Sequence, residues 1–494
     1  MSVISTPSQP GTPASAGLAP ASVAPAAIDA SCRLPLVVLF LSAAVWLLTA
    51  SAFGLTASIK FHAPGFLADS AWLTYGRVRP AGVNAMLYGF CLQAGLGVAL
   101  WMLARLGRTT LAAPWLIIVG ALCWNLGVAV GVLGILGGGS TGFENLEMPA
   151  YAAALVFLGY LMMVFWGVLT FHQRRERQLY VSQWFLFAAL FWFPWIYSTA
   201  NLVLQGFGAR GMAQAVIAWW YSDNLLVVWL GLVGLAAIFY FVPKLLNREL
   251  HSRYLALTAF WMLILFGSWG GIPASAPVPA WMPTLSVVTT VLGVITIVAV
   301  FLNVFRTTDG KCLMRMSNPS LKFIGFGLVS FVLGGLASAV TALPAVNQIT
   351  QFTWFTIGKG LLNFYGFFAM VIFGAIYYIV PQLMGQEFPF PKLVRAHFWT
   401  AAVGVLSFVV PLAVGGISQG LKLQHADIGI PFTDIAKGTL PFLRASTMGD
   451  LLMALGHVMF LLNLGGLVFQ FYRANAVSAW AEATTEIKPV EAAS

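Results

Sequence analysis

Residues 112–136 read AAPWLIIVGALCWNLGVAVGVLGIL and contain no charged side chain. A run of about 18 apolar residues already suffices for a helix that crosses a hydrocarbon core of about 30 Å. Similar runs recur along the chain, in which 60% of the 494 residues are hydrophobic and only 8% are charged. Because an ordinary soluble domain has about a quarter of its residues charged, this composition excludes a water-soluble protein.

The apolar runs predict an all-α polytopic membrane protein of about twelve transmembrane helices. The predicted spans are 35–58, 81–104, 112–136, 150–171, 182–206, 224–243, 254–272, 281–305, 323–343, 353–380, 396–418 and 446–471. We predict a disordered cytoplasmic tail over residues 1–32, which are rich in Ser, Pro, Ala and Thr. The membrane domain is expected over residues 33–473, and a cytoplasmic C-terminal tail over 474–494.

The basic residues indicate the orientation of these spans. With the N-terminus inside, 17 of the 25 Lys and Arg residues fall in inner segments and 7 in outer ones, with Lys359 within a span. The positive-inside rule then predicts a bacterial-type inner membrane protein with both termini in the cytoplasm. Since the net charge of +10 is spread over short loops, it does not predict nucleic-acid binding. The outer loops, including residues 143–147 (FENLE), are candidate docking sites for a partner with an extracytoplasmic domain.

Polar side chains within the predicted spans are few, and each is a candidate for function because charge at membrane depth is costly. Lys359 and Asp223 each lie at the head of a span, whereas His397 and His457 lie in or near later spans. Each histidine has two interpretations, a structural side chain bonded to a neighbouring helix or an unusual metal ligand. The four cysteines form no CxxC motif, so no zinc site, disulfide framework or covalent haem is predicted.

Several segments, in order from about residue 35 to 472, resemble the catalytic subunit I of cbb3-type cytochrome c oxidases, in the C-family of the haem-copper oxidase superfamily. The matching segments are WLTYGRVRP (72–80), YVSQWF (180–185), WWY (219–221), YFVPK (240–244), TIG (356–358), GAIYY (374–378) and HFW (397–399). The resemblance implies a twelve-helix respiratory-chain bundle that carries two haems and copper and reduces oxygen.

The ligand positions that the resemblance implies do not carry the family's residues. The family's low-spin haem histidine falls on Gly82, and its copper histidines fall on Asp223, Pro273 and Ala274. Its histidines for the two haems on the tenth span fall on Lys359 and Leu361, and its cross-linked tyrosine falls on Gly267. Glycine, alanine, proline and leucine side chains offer iron or copper no donor atom.

These substitutions predict that the cofactors are lost and that bulkier neighbours fill their volume, as in residues 225–229 (LLVVW) and 361–365 (LLNFY). Asp223 and Lys359 are predicted to face each other as a buried ion pair. No catalytic residue is assigned.

The leading hypothesis is a non-catalytic scaffold, without haem or copper, that binds a respiratory partner such as a c-type cytochrome. The second is a redox subunit that holds haem through Lys359, His397 or His457. The third is a proton or ion conductor, or a transporter, built on the same bundle.

Overall fold

The protein is a bundle of long antiparallel helices. The computed structural model describes residues 23–424 and 429–486, with side chains described to residue 482. Within these ranges eleven helices are long and apolar enough to span a membrane. They are α1 (Pro25–Lys60), α2 (Tyr75–Gly107), α3 (Pro114–Leu136), α4 (Ala150–His172), α5 (Val181–Gly206), α6 (Met212–Leu246), α8 (Trp281–Thr307), α9 (Pro319–Ala342), α10 (Trp354–Met384), α11 (Pro391–Gln424) and α12 (Phe432–Glu482).

The predicted span 254–272 is shorter than expected. Helix α7 (Arg253–Gly267) has 15 residues. At 1.5 Å per residue it is about 22 Å long, which is less than the about 30 Å of a hydrocarbon core. The segment that follows α7, up to Trp281, contains Pro273, Pro277 and Pro279, which have no backbone N–H with which to continue a helix.

The first helix begins earlier than predicted. Residues 25–32, expected to belong to a disordered tail, form the first turns of α1, where Ile28 and Cys32 are buried. Asp29 is a charged residue within these first turns. Its carboxylate accepts a hydrogen bond from Trp101 Nε1 (3.1 Å) and pairs with Arg105. These contacts fix this end of α1 to α2. The rest of the N-terminal tail, residues 1–22, and residues 487–494 lie outside the described residues, whereas 474–482 continue α12 as an exposed helix.

Three helices form the centre of the bundle. The most apolar windows of α2, α6 and α10 are 100%, 83% and 83% buried, against 33–44% for the other long helices. The outer helices present large apolar side chains on their free surfaces, as expected where lipid is the solvent. The central helices are also those that carry Gly82, Asp223, Lys359 and Leu361.

Each central helix contains a stretch of π-helix with wider turns than its surroundings. These stretches are Ala85–Leu92 in α2, Asn224–Trp229 in α6 and Leu362–Ala369 in α10. They begin directly after Asp223 and Leu361 and three residues after Gly82. π-helical turns are rare and occur frequently at functional sites. These three stretches lie in the same region as the sequence motifs.

Candidate functional site

The positions singled out in the sequence come together around two cavities. The first, here called the Asp223 cavity, has a volume of about 240 Å³ and is lined by Asp223, Gly267, Pro273, Ala274 and Lys359, among others. It therefore gathers side chains from α6, the end of α7, the segment after α7 and α10.

The second, called the Gly82 cavity, measures about 230 Å³ and is lined by Gly82, Leu361 and His457 together with residues of α1 and α11. All six predicted ligand positions thus line one cavity or the other. The distribution follows the resemblance, with the copper positions and Lys359 in the Asp223 cavity and the predicted low-spin haem position in the Gly82 cavity.

Asp223 and Lys359 face the same cavity, but they do not form the direct ion pair that the sequence predicted. They are not among the oppositely charged side chains of the described residues that approach within 4.0 Å. Lys359 Nζ instead donates to Thr341 Oγ1 at 3.1 Å, and the Thr341 hydroxyl donates to Ala337 O at 2.8 Å. Lys359 therefore donates to Thr341 on α9 rather than to Asp223 on α6.

The backbone of the segment after α7 packs closely against Asp223. Gly271 has a positive φ of 93°, and a Cβ at this position would lie 2.6 Å from Asp223 Cβ. The neighbouring Asn224 ties α6 to this segment, since its Nδ2 donates to Trp220 O (2.9 Å) and Ser268 O (3.2 Å). Glycine at 271 therefore allows the segment to cover the end of the cavity where Asp223 lies.

His457 lies in the wall of the Gly82 cavity with both ring nitrogens bonded. Ser51 donates its hydroxyl proton to Leu47 O at 2.8 Å, so its oxygen accepts from His457 Nδ1 at 2.6 Å. The other nitrogen, Nε2, then accepts from the Tyr365 hydroxyl at 2.5 Å. This neutral tautomer has no free lone pair for a metal.

Gly82 allows α1 and α2 to approach closely. A Cβ at this position would lie 3.2 Å from Phe53 Cβ and 3.3 Å from Gly54 N, both in α1. Gly360 on α10 also lines the Gly82 cavity, and a Cβ added there would have no neighbouring atom within 4 Å. A side chain at position 82 therefore requires α1 to give way by a few tenths of an ångström, whereas a Cβ at position 360 meets no atom.

His397 lies away from both cavities, packed among aromatic rings. Its Nδ1 is 2.9 Å from the Tyr377 hydroxyl, and its ring centroid is 4.6 Å from that of Phe373 and 6.4 Å from that of His457. Its Nε2 is buried and has no partner. His397 is fully buried in the bundle core, on the second turn of α11.

The predicted filling of the cofactor volume is incomplete. Leu225 and Trp229 join the buried core, and Leu226 contributes to the walls of both cavities. Phe364 and Tyr365 face the Gly82 cavity, whereas Asn363 faces the Asp223 cavity. These side chains narrow and divide the space, but they leave the two volumes above.

The residues at the two cavities do not fit haem iron or copper as the family binds them. Gly82, Pro273, Ala274 and Leu361 carry no donor atom, and His457 is committed to Ser51 and Tyr365. The described part of the chain also contains no group of three or more His, Cys, Asp or Glu side chains placed to hold a metal ion. Three-ligand copper chemistry therefore lacks its donor set here.

Residues 143–147 were predicted to be a candidate docking site on an outer loop, but most of them are buried. Asn145, Leu146, Glu147 and Met148 are all less than 9% exposed. Glu147 accepts a hydrogen bond from Asn84 Nδ2 at 2.7 Å, and burial raises the pKa of Glu147 to about 7 although that bond lowers it. The loop is therefore part of the core. Its polar composition is typical of a solvated loop, and the residues that bond to it lie far away in the sequence.

This loop, which contributes Asn145 to the Gly82 cavity, is also bonded to α2 and α6. Tyr88 donates to Asn145 O at 2.6 Å and lies 2.6 Å from the Tyr221 hydroxyl, while Asn145 Nδ2 donates to Ser222 Oγ at 2.6 Å. Sequence reasoning missed this network. Its only sequence signal is that Leu146 and Met148 are apolar within a polar loop.

Comparison with known proteins agrees with the fold and the motifs. The chain is 27% identical over 390 residues to the cbb3-type cytochrome c oxidase subunit CcoN1 of Stutzerimonas stutzeri, covering 76% of this chain and 81% of that protein. It is 27% identical over 429 residues to cytochrome c oxidase subunit 1 of Rhodobacter capsulatus, covering 82% and 79%.

A structural relative supports the same fold. A haem-copper terminal oxidase dimer solved by cryo-electron microscopy matches with a TM-score of 0.67 at 14% identity, covering 88% of this chain and 84% of that one. The family model for cytochrome c and quinol oxidase polypeptide I matches residues 35–452, which is most of the chain. This protein therefore belongs to the cytochrome c and quinol oxidase polypeptide I family.

Proposed function

We propose that this chain is a subunit I-like scaffold of a respiratory membrane complex that does not itself bind haem or copper or reduce oxygen. One observation carries the proposal. The six positions at which the family's ligands were expected gather around two cavities, yet four of them have no donor atom. The remaining two, Asp223 and Lys359, are a carboxylate and an amine.

The alternative of haem bound through unusual ligands is disfavoured by the contacts of its three candidates. His457 would have to break its bonds to Ser51 and Tyr365 before either nitrogen could bind iron. His397 does not line either cavity. Lys359 lines the Asp223 cavity, but a lone amine facing a carboxylate there has no opposing axial donor.

The partner proposed for this scaffold is a c-type cytochrome subunit with an extracytoplasmic domain, bound with both termini of this chain in the cytoplasm. Exposed aromatic side chains suggest where it binds. Phe352 is 77% exposed between α9 and α10, and Phe432 is 67% exposed at the start of α12. Both lie at the end of the bundle where Trp354 N donates to Gln419 Oε1. Exposed aromatic residues of this kind commonly anchor interfaces.

Affinity purification tests the partner. The tagged chain, purified from its native membrane in mild detergent, is expected to bring with it a separate polypeptide that stains for covalent haem after denaturing electrophoresis. Phe352→Ser with Phe432→Ser should reduce that polypeptide at least tenfold. Tyr254→Ser, which changes an aromatic residue 84% exposed at the opposite end of the bundle, is the matched control and should not. Recovery of no c-type cytochrome with wild type would contradict the proposal.

A further inference from the structure

The Asp223 cavity contains charges of both signs whose hydrogen-bonding capacity is largely unused. The Asp223 carboxylate accepts no hydrogen bond and forms no ion pair within 4.0 Å among the described residues. Lys359 Nζ uses one of its three protons, toward Thr341. Thr296 Oγ1, which also lines the cavity, is buried and has no partner.

Charged and polar groups without hydrogen bonds or ion pairs are unfavourable in the interior of a helical bundle. Buried charges in proteins are normally paired or hydrogen-bonded, because an isolated charge loses its hydration without compensation. The lining carries one acid and one base, which lie too far apart for direct contact, so a single ligand that contacts both needs one positive and one negative group. A lone cation would leave Lys359 unpaired, and a lone anion would leave Asp223 unpaired.

The size and position of the cavity suit a small molecule that enters from the membrane surface. Its volume of about 240 Å³ equals that of about eight water molecules at about 30 Å³ each. One end is formed by the segment after α7, at Gly270–Ala274, and by Asn347 and Gln351, which follow α9. Both are connections between helices at the same end of the bundle, so this end of the cavity adjoins a loop surface, while Thr296 and Phe331 line it further along α8 and α9.

We propose that the Asp223 cavity binds a small aliphatic amino-acid zwitterion, whose ammonium group contacts Asp223 and whose carboxylate contacts Lys359. Thr296 and Thr341 offer further hydroxyl contacts, and the apolar lining from Leu226 and Phe367 surrounds the aliphatic part. This inference rests on the proposed function in one respect, since a haem in this volume would exclude the ligand.

Thermal unfolding of the purified full chain with a series of probes tests the proposal. The probes are glycine and L-alanine, in which one carbon separates the ammonium group from the carboxylate, β-alanine with two such carbons, and 4-aminobutyrate with three. At least one of them should raise the midpoint by about 2 °C or more in a saturable manner, because a ligand that binds only the native state stabilises it. Methylamine and acetate, added together at the same concentration, should give no saturable shift. No saturable shift with any of the four zwitterions would overturn the proposal.

Two charge-removing variants locate the site. Asp223→Asn and Lys359→Met should each abolish the shift, whereas Lys422→Met, an exposed lysine at the end of α11, should retain it. A retained shift in both Asp223→Asn and Lys359→Met would place binding elsewhere and overturn the proposal. The wild-type series decides the matter even if these variants fail to fold. An absorption spectrum of the same sample separates the two proposals, since a haem band contradicts the proposed function whatever the zwitterions do.

Discussion

Replacing Gly82 tests how much room α1 leaves for a side chain at the position of the family's haem ligand on α2. In Gly82→Ala the new Cβ would lie 3.2 Å from Phe53 Cβ and 3.3 Å from Gly54 N, so α1 must shift to admit it. Overpacking of this kind costs about 1–3 kcal/mol. Against this, replacing glycine by alanine within a helix gains about 1 kcal/mol. Gly360→Ala receives the same helix gain with nothing within 4 Å of its Cβ.

We therefore expect Gly82→Ala to be about 1–3 kcal/mol less stable than Gly360→Ala, and Gly82→His to be less stable than either. The chain contains 18 tryptophans, so intrinsic fluorescence during thermal unfolding in detergent measures the order of the three midpoints. The reasoning is refuted if Gly82→Ala and Gly360→Ala unfold at the same temperature, or if Gly82→His is as stable as wild type. The first result would mean that α1 leaves room for a methyl group at position 82, and the second that it leaves room for a histidine side chain.

Three further results are expected. Tyr365→Phe removes the hydrogen-bond donor to buried His457 Nε2 and should lower the free energy of unfolding by about 1–3 kcal/mol. Burial raises the pKa of Glu147 to about 7 from an ordinary value near 4.5, so the protonated carboxyl stabilises the fold at low pH. That contribution, about 3 kcal/mol, should be lost as the pH rises from about 4.5 to about 7, and Glu147→Gln should remove this dependence. In a double-mutant cycle, Asp223→Asn and Lys359→Met should show a coupling above zero but below the about 4 kcal/mol of a pair at 4 Å.

The following controls and outcomes would contradict these three predictions. Tyr254→Phe changes an exposed tyrosine and should be within about 0.5 kcal/mol of wild type; an equal effect from Tyr365→Phe would exclude the His457 bond. If the free energy of unfolding depends on pH in the same way for wild type and Glu147→Gln, burial does not raise the pKa of Glu147 in the folded protein. Strict additivity in the cycle would show that Asp223 and Lys359 do not interact through the cavity.

The architecture was predictable because membrane spans depend on local composition alone. Eleven of the twelve predicted spans correspond to long apolar helices, and the twelfth corresponds to α7 at reduced length. The ligand positions could also be placed, since the motifs that flank Gly82, Asp223 and Lys359 keep their order along the chain. In the structure these positions line two cavities, and nothing in their spacing along the chain shows that division.

The contacts of individual side chains were less predictable, because they depend on residues far apart in sequence. The Asp223 and Lys359 charges suggested a direct ion pair, but Thr341 on α9 bonds Lys359 instead. Residues 143–147 have the composition of a solvated loop, yet Asn84 and Tyr88 on α2 bond to this loop and hold it in the core. The π-helical stretches have no recognised sequence signature of their own and were not predicted.

The haem and metal content of the purified chain decides whether this family member acts without metal centres. The protein, separated from any co-purifying cytochrome, is analysed by reduced-minus-oxidised spectra and by elemental analysis for iron and copper. Since the two cavities lack the family's donor set, we predict no haem band and iron and copper well below one atom per chain. One haem or more per chain, with matching iron, would contradict the proposal that this family member acts without metal centres.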